Sequence, residues 1–334
     1  MAGKRGSRFW RGLGYGLAVV VGLIAVLWAV FATPDIPVET LKAKYANEAS
    51  QFIELSPGTT IHFRDEGPRD GQALVLVHGS DASLHTWEPW VQRLTAKGYR
   101  VITLDLPAHG LSGPTPQGLY TGAAYADIVA GLVDRLGLKR FALGGNSMGG
   151  GVAWRYAVEH PERLSALILV DASGKPMPKG SSPPLGFRLA RVPVARDILA
   201  TVTPRVIFEK SFAQSISNQA IATPAMIDRY WELHLYPGNR RATVQRFGQY
   251  SGDDGAAAKL TTLTVPTLIL WGREDKLIPV SVAAWFNSQI KGSRVSILDG
   301  IGHIPMEEAP DRSLAPVLEL LQSVSAAETA RQSA

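Results

Sequence analysis

The 334-residue sequence contains no cysteine, and charged residues make up only 19% of it. Without cysteine the chain has no disulfide bonds, no thiolate nucleophile and no site for lipid attachment through a thiol. The sequence also lacks metal-ligand spacings such as H-E-x-x-H, and it lacks the glycine motifs that bind phosphates or dinucleotides. We therefore predict no metal and no cofactor.

The net charge of +5 does not indicate a nucleic-acid partner, because the positive charge is confined to two regions. Residues 1–11 carry four basic residues and no acidic one, and residues 175–262 carry 12 basic against 6 acidic residues. The remaining two regions are both slightly acidic. We therefore predict a small-molecule substrate and no nucleic acid.

The second scarcity is local, since residues 12–32 contain no charged side chain at all. A helix of this length covers a hydrocarbon core of roughly 30 Å at about 1.5 Å per residue. The basic residues 1–11 precede it and Pro34 follows it closely. The positive-inside rule then predicts a single-pass anchor, with the N-terminus in the cytoplasm and the rest of the chain outside, which is the periplasm in a bacterium.

A cleavable signal peptide is the alternative interpretation of residues 12–32. Residues 30–32, Val-Phe-Ala, form a weak cleavage site, and the apolar run exceeds the 7–15 residues of an ordinary signal core. Cleavage would release a secreted protein.

Beyond a linker at residues 33–50, short apolar runs alternate with helical patterns, which predicts a mostly parallel β-sheet with helices on both faces. Two segments flanking Pro57-Gly58 indicate a hairpin. The later predicted strands are residues 73–77, 101–104, 141–143, 166–170, 267–271 and 295–298. Functional residues of such sheets gather at the carboxyl ends of the strands.

Three of these strand ends carry a serine, an aspartate and a histidine in that order along the chain. Ser147 lies within Gly145-Asn-Ser-Met-Gly149, a G-x-S-x-G turn between a strand and a helix. Asp275 and His303 follow the last two predicted strands. A serine hydroxyl needs a base and an orienting acid to act as a nucleophile, and this order supplies both.

The chain resembles α/β-hydrolases of the type with a His-Gly oxyanion loop. The matching motifs are His78-Gly79, Asp105-Leu-Pro-Ala-His-Gly-Leu-Ser112, the turn at Ser147, Trp271-Gly-Arg-Glu-Asp275 and Gly302-His303. One departure is Ala108, where the family usually has glycine. The resemblance implies an α/β-hydrolase core at residues 51–174 and 263–325, with a helical cap inserted at residues 175–262.

The motifs predict a role for each site residue. Ser147 is the predicted nucleophile, His303 the base and Asp275 the acid that orients it. The backbone N–H groups of Ser80 and Met148 are the predicted oxyanion hole. Asp171 also follows a strand and is the alternative acid.

The serine nucleophile argues against haloalkane dehalogenases and epoxide hydrolases, since members of this fold with those activities use aspartate there. Large apolar residues of the predicted cap, among them Phe208, Phe212 and Tyr230, favour an apolar substrate. The leading hypothesis is a carboxylesterase. A hydrolase of C–C bonds, a haloperoxidase-like perhydrolase and, more remotely, a non-catalytic binding protein on the same fold are the alternatives.

Overall fold

The computed structural model describes residues 3–176, 191–249 and 255–332, and parts of the predicted cap lie outside these ranges. Eight strands form one sheet. They are β1 (Ser50–Ser56), β2 (Thr59–Glu66), β3 (Ala73–Val77), β4 (Arg100–Leu104), β5 (Phe141–Asn146), β6 (Leu164–Val170), β7 (Thr267–Gly272) and β8 (Arg294–Leu298).

The strands lie in the order β1-β2-β4-β3-β5-β6-β7-β8. The pairs β1–β2 and β2–β4 are antiparallel, and all later pairs are parallel. The hairpin predicted at Pro57-Gly58 joins β1 to β2, and Gly58 has the positive φ of 73° that such a turn requires. The predicted mostly parallel sheet is confirmed.

Helices cover both faces of the sheet. Successive residues of a strand point to opposite sides, so each strand packs against helices on both faces. Leu74 and Leu76 face the core beneath α3 (Glu88–Thr95) and α12 (Pro310–Gln332). Val75 and Val77 face the core beneath α4 (Gly122–Arg135), α5 (Met148–Glu159) and α10 (Ser281–Gln289). The continuous apolar character of the strands follows from burial on both sides.

Four helices lie between β6 and β7 in the described part of the predicted cap. They are α6 (Pro193–Leu199), α7 (Arg205–Ser215), α8 (Pro224–His234) and α9 (Asn239–Gln249). A short helix, α11 (Pro305–Glu308), precedes α12.

The chain begins with α1 (Gly3–Phe31), followed by α2 (Val38–Tyr45). Residues Gly14–Phe31 of α1 have a mean hydropathy of 2.3, and none of this stretch is buried against the rest of the molecule. By length and composition it is able to cross a membrane, and a signal sequence has the same properties.

The C-terminal end of α1 is bonded to the loop between α6 and α7. The indole N–H of Trp28 donates to the Thr201 hydroxyl at 2.8 Å, and the Thr33 N–H donates to the Thr201 carbonyl at 3.0 Å. Ala32 and Val202 form an isolated antiparallel bridge. The apolar helix therefore ends directly beside the cap.

Candidate active site

Ser147 occupies a strained turn between β5 and α5. Its φ and ψ are 54° and −118°, a conformation that non-glycine residues rarely adopt. A Cβ at Gly145 would collide with the carbonyl of Gly149, and a Cβ at Gly149 would collide with the carbonyl of Val77. The glycines of the motif are thus needed for the close approach of α5 to the sheet.

His303 lies after β8, and hydrogen bonds hold both its ring and its backbone. Its Nδ1 is 2.7 Å from Asp275 Oδ2, and its backbone N–H donates to the Ser215 carbonyl at 2.7 Å. Asp275 Oδ1 accepts from the backbone N–H groups of Leu277 and Ile278, which fixes the carboxylate behind the imidazole.

Ser147 and His303 line the same cavity. Among the hydrogen bonds of the described residues, none joins the Ser147 hydroxyl to the His303 ring. Such a bond commonly tightens when a substrate binds.

Asp171, the alternative acid, lies beside this pair but does not bond to the histidine. Its Oδ1 accepts from the Gly272 N–H at 2.9 Å, and its buried Oδ2 has no hydrogen-bond partner among the described residues. Burial, and after it the charge of Asp275, raise the pKa of Asp171 well above its ordinary value. Asp275 is therefore the carboxylate that bonds to His303, and Asp171 is not.

Ligand atoms of Asp171, Asp275 and His303 lie within 4.8 Å of one another, which is a spacing compatible with a metal ion. A metal requires ionised carboxylates and a free imidazole nitrogen. Here His303 Nδ1 is engaged by Asp275, and the Asp171 carboxyl favours its neutral form. The donor set fits a hydrogen-bonded cluster better than a metal site.

The loop after β3 packs directly on the serine. A Cβ added at Gly79 would lie 3.1 Å from the Ser147 Cβ, so the loop and the turn touch at this point. Ser80 lines the cavity, and Met148 begins α5, where backbone N–H groups have no partner within the helix. Both predicted oxyanion donors therefore lie on segments that flank Ser147.

Residues 72–310 match the family description "alpha/beta hydrolase fold", which is well over half of the chain. The chain belongs to the α/β-hydrolase fold family.

Among curated relatives, a 2-hydroxy-6-oxononadienedioate/2-hydroxy-6-oxononatrienedioate hydrolase of a Pseudomonas species is 28% identical over 82% of this chain and 96% of its own length. Among solved structures, a bacterial membrane phospholipase A is 28% identical, with a TM-score of 0.70 over 96% of this chain and 99% of that one. An esterase from Thermogutta terrifontis gives the same identity and score over 82% and 99%.

The active-site cavity of this α/β-hydrolase has a volume of about 370 Å³ and is mainly apolar. The cap contributes Val202, Ile207, Phe208, Phe212, Val244 and Phe247 to its wall. A second cavity of about 480 Å³ lies at the amino ends of β6 and β7 beside the Arg140–Glu328 ion pair. Because ligands of open parallel sheets bind at the carboxyl ends of strands, the first cavity is the candidate site.

Three further histidines of the hydrolase support the core rather than the cavity. His78 Nε2 accepts from the Leu106 N–H, and His62 Nδ1 lies 2.7 Å from Asp105 Oδ2. His62 is fully buried. His109 is also buried, whereas His234 lines the cavity.

Several contacts of this site were not predicted from the sequence. The amide of Asn146 donates to the carbonyls of Val170 and His303, which ties the serine turn to the histidine loop. Glu308 accepts from the N–H groups of Gly302 and Ser217, which ties the same loop to the cap. Arg246 of α9 reaches the oxyanion loop. The cap's excess of basic residues was the one available signal for this last contact.

Proposed function

We propose that this protein is a membrane-anchored serine hydrolase that cleaves carboxylic esters with an apolar acyl chain. The observation that carries the proposal is one mainly apolar cavity lined by Ser147 and His303, with Asp275 bonded behind the histidine. A hydroxyl nucleophile, an imidazole base and an orienting carboxylate are the parts that acyl transfer needs.

In the proposed reaction, Ser147 Oγ attacks the ester carbonyl carbon while its proton moves to His303 Nε2. The carbonyl electron pair moves to oxygen, and the N–H groups of Ser80 and Met148 stabilise the resulting oxyanion. The C–O bond to the alcohol then breaks as His303 returns its proton to the leaving oxygen. Water, activated by His303, hydrolyses the acyl-enzyme and restores Ser147.

The position of α1 favours a substrate that comes from a membrane. Val202 lines the cavity and is bridged to Ala32 at the end of the apolar helix. The similarity to the membrane phospholipase A extends into that helix, since it covers 96% of this chain. We therefore expect an amphiphilic ester, such as a phospholipid, whose acyl chain occupies the cap side of the cavity.

A hydrolase of C–C bonds is the second candidate. It is favoured by the relatives named 2-hydroxy-6-oxononadienedioate hydrolases, at 28% identity. Against it, six apolar cap residues line the cavity, and the arginine that lines it beside them, Arg240, is already paired with Asp35, so the wall suits an acyl chain better than a dicarboxylate.

The deciding experiment is labelling of the full chain in detergent micelles with a fluorophosphonate probe, followed by a panel of p-nitrophenyl esters with acyl chains from acetyl to dodecanoyl. We expect the native chain to be labelled and the Ser147→Ala variant to remain unlabelled. Turnover should rise with acyl length as the chain fills the apolar wall.

Two other outcomes would favour a different function. Labelling without ester turnover, combined with cleavage of a vinylogous 1,5-diketone, favours the C–C hydrolase. Absence of labelling in the native chain contradicts a serine hydrolase and favours a binding protein on this fold.

A further inference from the structure

Arg246 projects from α9 of the cap onto the oxyanion loop. Its Nη2 donates to the Ser80 hydroxyl at 2.5 Å, and its Nη1 lies 3.2 Å from the Met148 sulfur. These are the two residues whose backbone N–H groups are proposed to bind the oxyanion. One cap side chain thus contacts the side chains of both residues.

In the described part of the chain no carboxylate pairs directly with this guanidinium, and Asp81 lies on the other side of the Ser80 hydroxyl. Within the described residues, Arg246 has no acidic partner within 4.0 Å, and its buried Nε has no hydrogen-bond partner. The guanidinium carbon lies 4.7 Å from the ring centroid of Phe247, which lines the cavity. A cation with few other contacts therefore lies beside the site where negative charge would develop.

The oxyanion loop lies between two cap helices. The Ser80 hydroxyl donates to Asp81 Oδ2 at 3.2 Å, and Asp81 Oδ1 lies 3.5 Å from His234 Nδ1 of α8 without a hydrogen bond between them. Asp81 has a φ of 57°, so the loop is held in a strained conformation between α8 and α9.

The other titratable groups near Arg246 do not add positive charge. Burial is the largest cause that lowers the pKa of His78, His109 and His234, and the charge of Arg246 acts in the same direction on each. Burial also raises the pKa of Tyr125, which keeps that phenol neutral. Arg246 is therefore the cation that contacts the oxyanion loop, whereas Arg240 of the same helix is paired with Asp35.

We propose that Arg246 is a positioning residue that assembles the oxyanion hole from the cap. It fixes Ser80 and Met148 in place and adds a positive charge, without a directly paired carboxylate, next to the tetrahedral intermediate. A preorganised charge in a water-poor site stabilises a transition state without costly reorganisation. The inference rests on the proposed function, because it assigns a role within the same site.

The test compares Arg246→Gln with Arg241→Gln in the full chain in detergent micelles. Arg241 lies on the same helix, and its side chain is largely exposed, so its variant is the matched control. We expect Arg246→Gln to lower kcat for p-nitrophenyl butyrate and the rate of fluorophosphonate labelling by about 10- to 100-fold, since loss of a full oxyanion donor costs about 100- to 1,000-fold. KM and the melting temperature should match the control.

A double-mutant cycle separates positioning through Ser80 from simple packing. Ser80→Ala keeps the backbone N–H but removes the hydroxyl that Arg246 contacts. If Arg246 acts through Ser80, the double variant should lose little more activity than Arg246→Gln alone. Arg246→Lys keeps the charge with fewer hydrogen-bond donors, so we expect its kcat to fall by about threefold to tenfold. This variant replaces Arg246→Gln in the test if the glutamine variant does not fold.

Three results would overturn the inference: an unchanged kcat in Arg246→Gln, a rise in KM alone, or additive losses in the cycle. With normal labelling of the native chain, any of these leaves the proposed serine hydrolase intact. Failure of the native chain to react with the probe overturns both proposals together.

Discussion

At the residue scale, strain gathers where the proposed chemistry takes place. Among the described residues, the non-glycine residues with positive φ are Asp81, Ala108, Ser147 and Asp171, and all four follow carboxyl ends of strands. Ala108 has a φ of 68°, which accounts for the glycine that the family usually has there. Such conformations persist only where the surrounding contacts hold them.

Asp171 provides a prediction that depends on pH. Its raised pKa means that the unfolded chain binds fewer protons than the folded chain above about pH 4, so its contribution to stability falls as the pH rises. The Asp171→Asn variant lacks this loss. We expect its stability relative to the native chain to increase between pH 5 and pH 8, by up to about 1.4 kcal/mol per pH unit.

Urea unfolding at both pH values, followed by tryptophan fluorescence, measures this difference. Because asparagine resembles the neutral acid, kcat of Asp171→Asn should stay within a few fold of the native value. Asp275→Asn should lower kcat by about 10⁴-fold, as loss of the orienting acid does elsewhere. Comparable losses in both variants would instead make Asp171 the working acid.

Asp105 provides a prediction about stability. Burial acts to raise its pKa, but attraction to His62 and a hydrogen bond from it outweigh burial, so the pKa lies below its ordinary value. Asp105 also accepts from the N–H groups of Leu84 and Leu111. Removal of one partner of a buried pair costs about 3–5 kcal/mol, and we expect this loss for Asp105→Ala in urea unfolding at pH 7.

The same group makes stability sensitive to acid. Since the folded pKa of Asp105 is depressed, its contribution is present above the unfolded pKa of about 4 and is lost as the pH falls below it. The difference between the native chain and Asp105→Ala should therefore shrink in acid. Asp127→Ala, at an exposed position of α4, is the control, and an equal effect there would contradict the assignment.

At the element scale, the core was predictable and the cap was not. Strands such as β3 and β6 are uninterrupted apolar runs, and a parallel topology brings their carboxyl ends to one edge. That rule was enough to bring Ser147, Asp275 and His303 together in the prediction. The same rule did not predict the contact between Arg246 and Ser80, because no periodic pattern relates residues 166 positions apart.

The cap helices are held by individual tertiary contacts that local sequence does not reveal. Arg205 of α7 pairs with Asp228 of α8 at 2.5 Å, and the indole of Trp231 donates to the Thr203 carbonyl. Arg240 of α9 is buried, lines the cavity and pairs with Asp35 at 2.6 Å. The segment after α1 therefore stabilises the cap wall of the cavity.

This pair predicts a local effect of Asp35→Ala. The substitution leaves the buried Arg240 guanidinium without its carboxylate, which is costly, so α9 should open more often. We expect limited proteolysis to cut residues 191–249 about tenfold faster, which corresponds to about 1.4 kcal/mol in the opening equilibrium. Glu39→Ala, which removes an exposed carboxylate that pairs with Lys42, should leave the cleavage rate unchanged.

At the scale of the whole molecule, the proposed anchor and cavity form one arrangement. Trp28, Thr33 and Asp35 all bond to the cap within a few residues of the end of the apolar helix. A retained anchor would therefore hold the cavity close to the membrane surface. A cleaved signal would remove Trp28 and its bond to Thr201, and this difference makes the fate of α1 a functional question.

The absence of cysteine makes the topology directly measurable, because a single introduced cysteine is the only thiol in the chain. We expect Ser7→Cys to resist a membrane-impermeant maleimide in intact cells and to react after lysis, since the positive-inside rule leaves residue 7 in the cytoplasm. Ser288→Cys, at an exposed position of α10, should react once the reagent reaches the outer side of that membrane. Both variants should stay in the membrane fraction after an alkaline carbonate wash. Recovery of soluble protein with an N-terminus near residue 33 would instead identify a cleaved signal, and labelling of residue 7 in intact cells would contradict the proposed orientation.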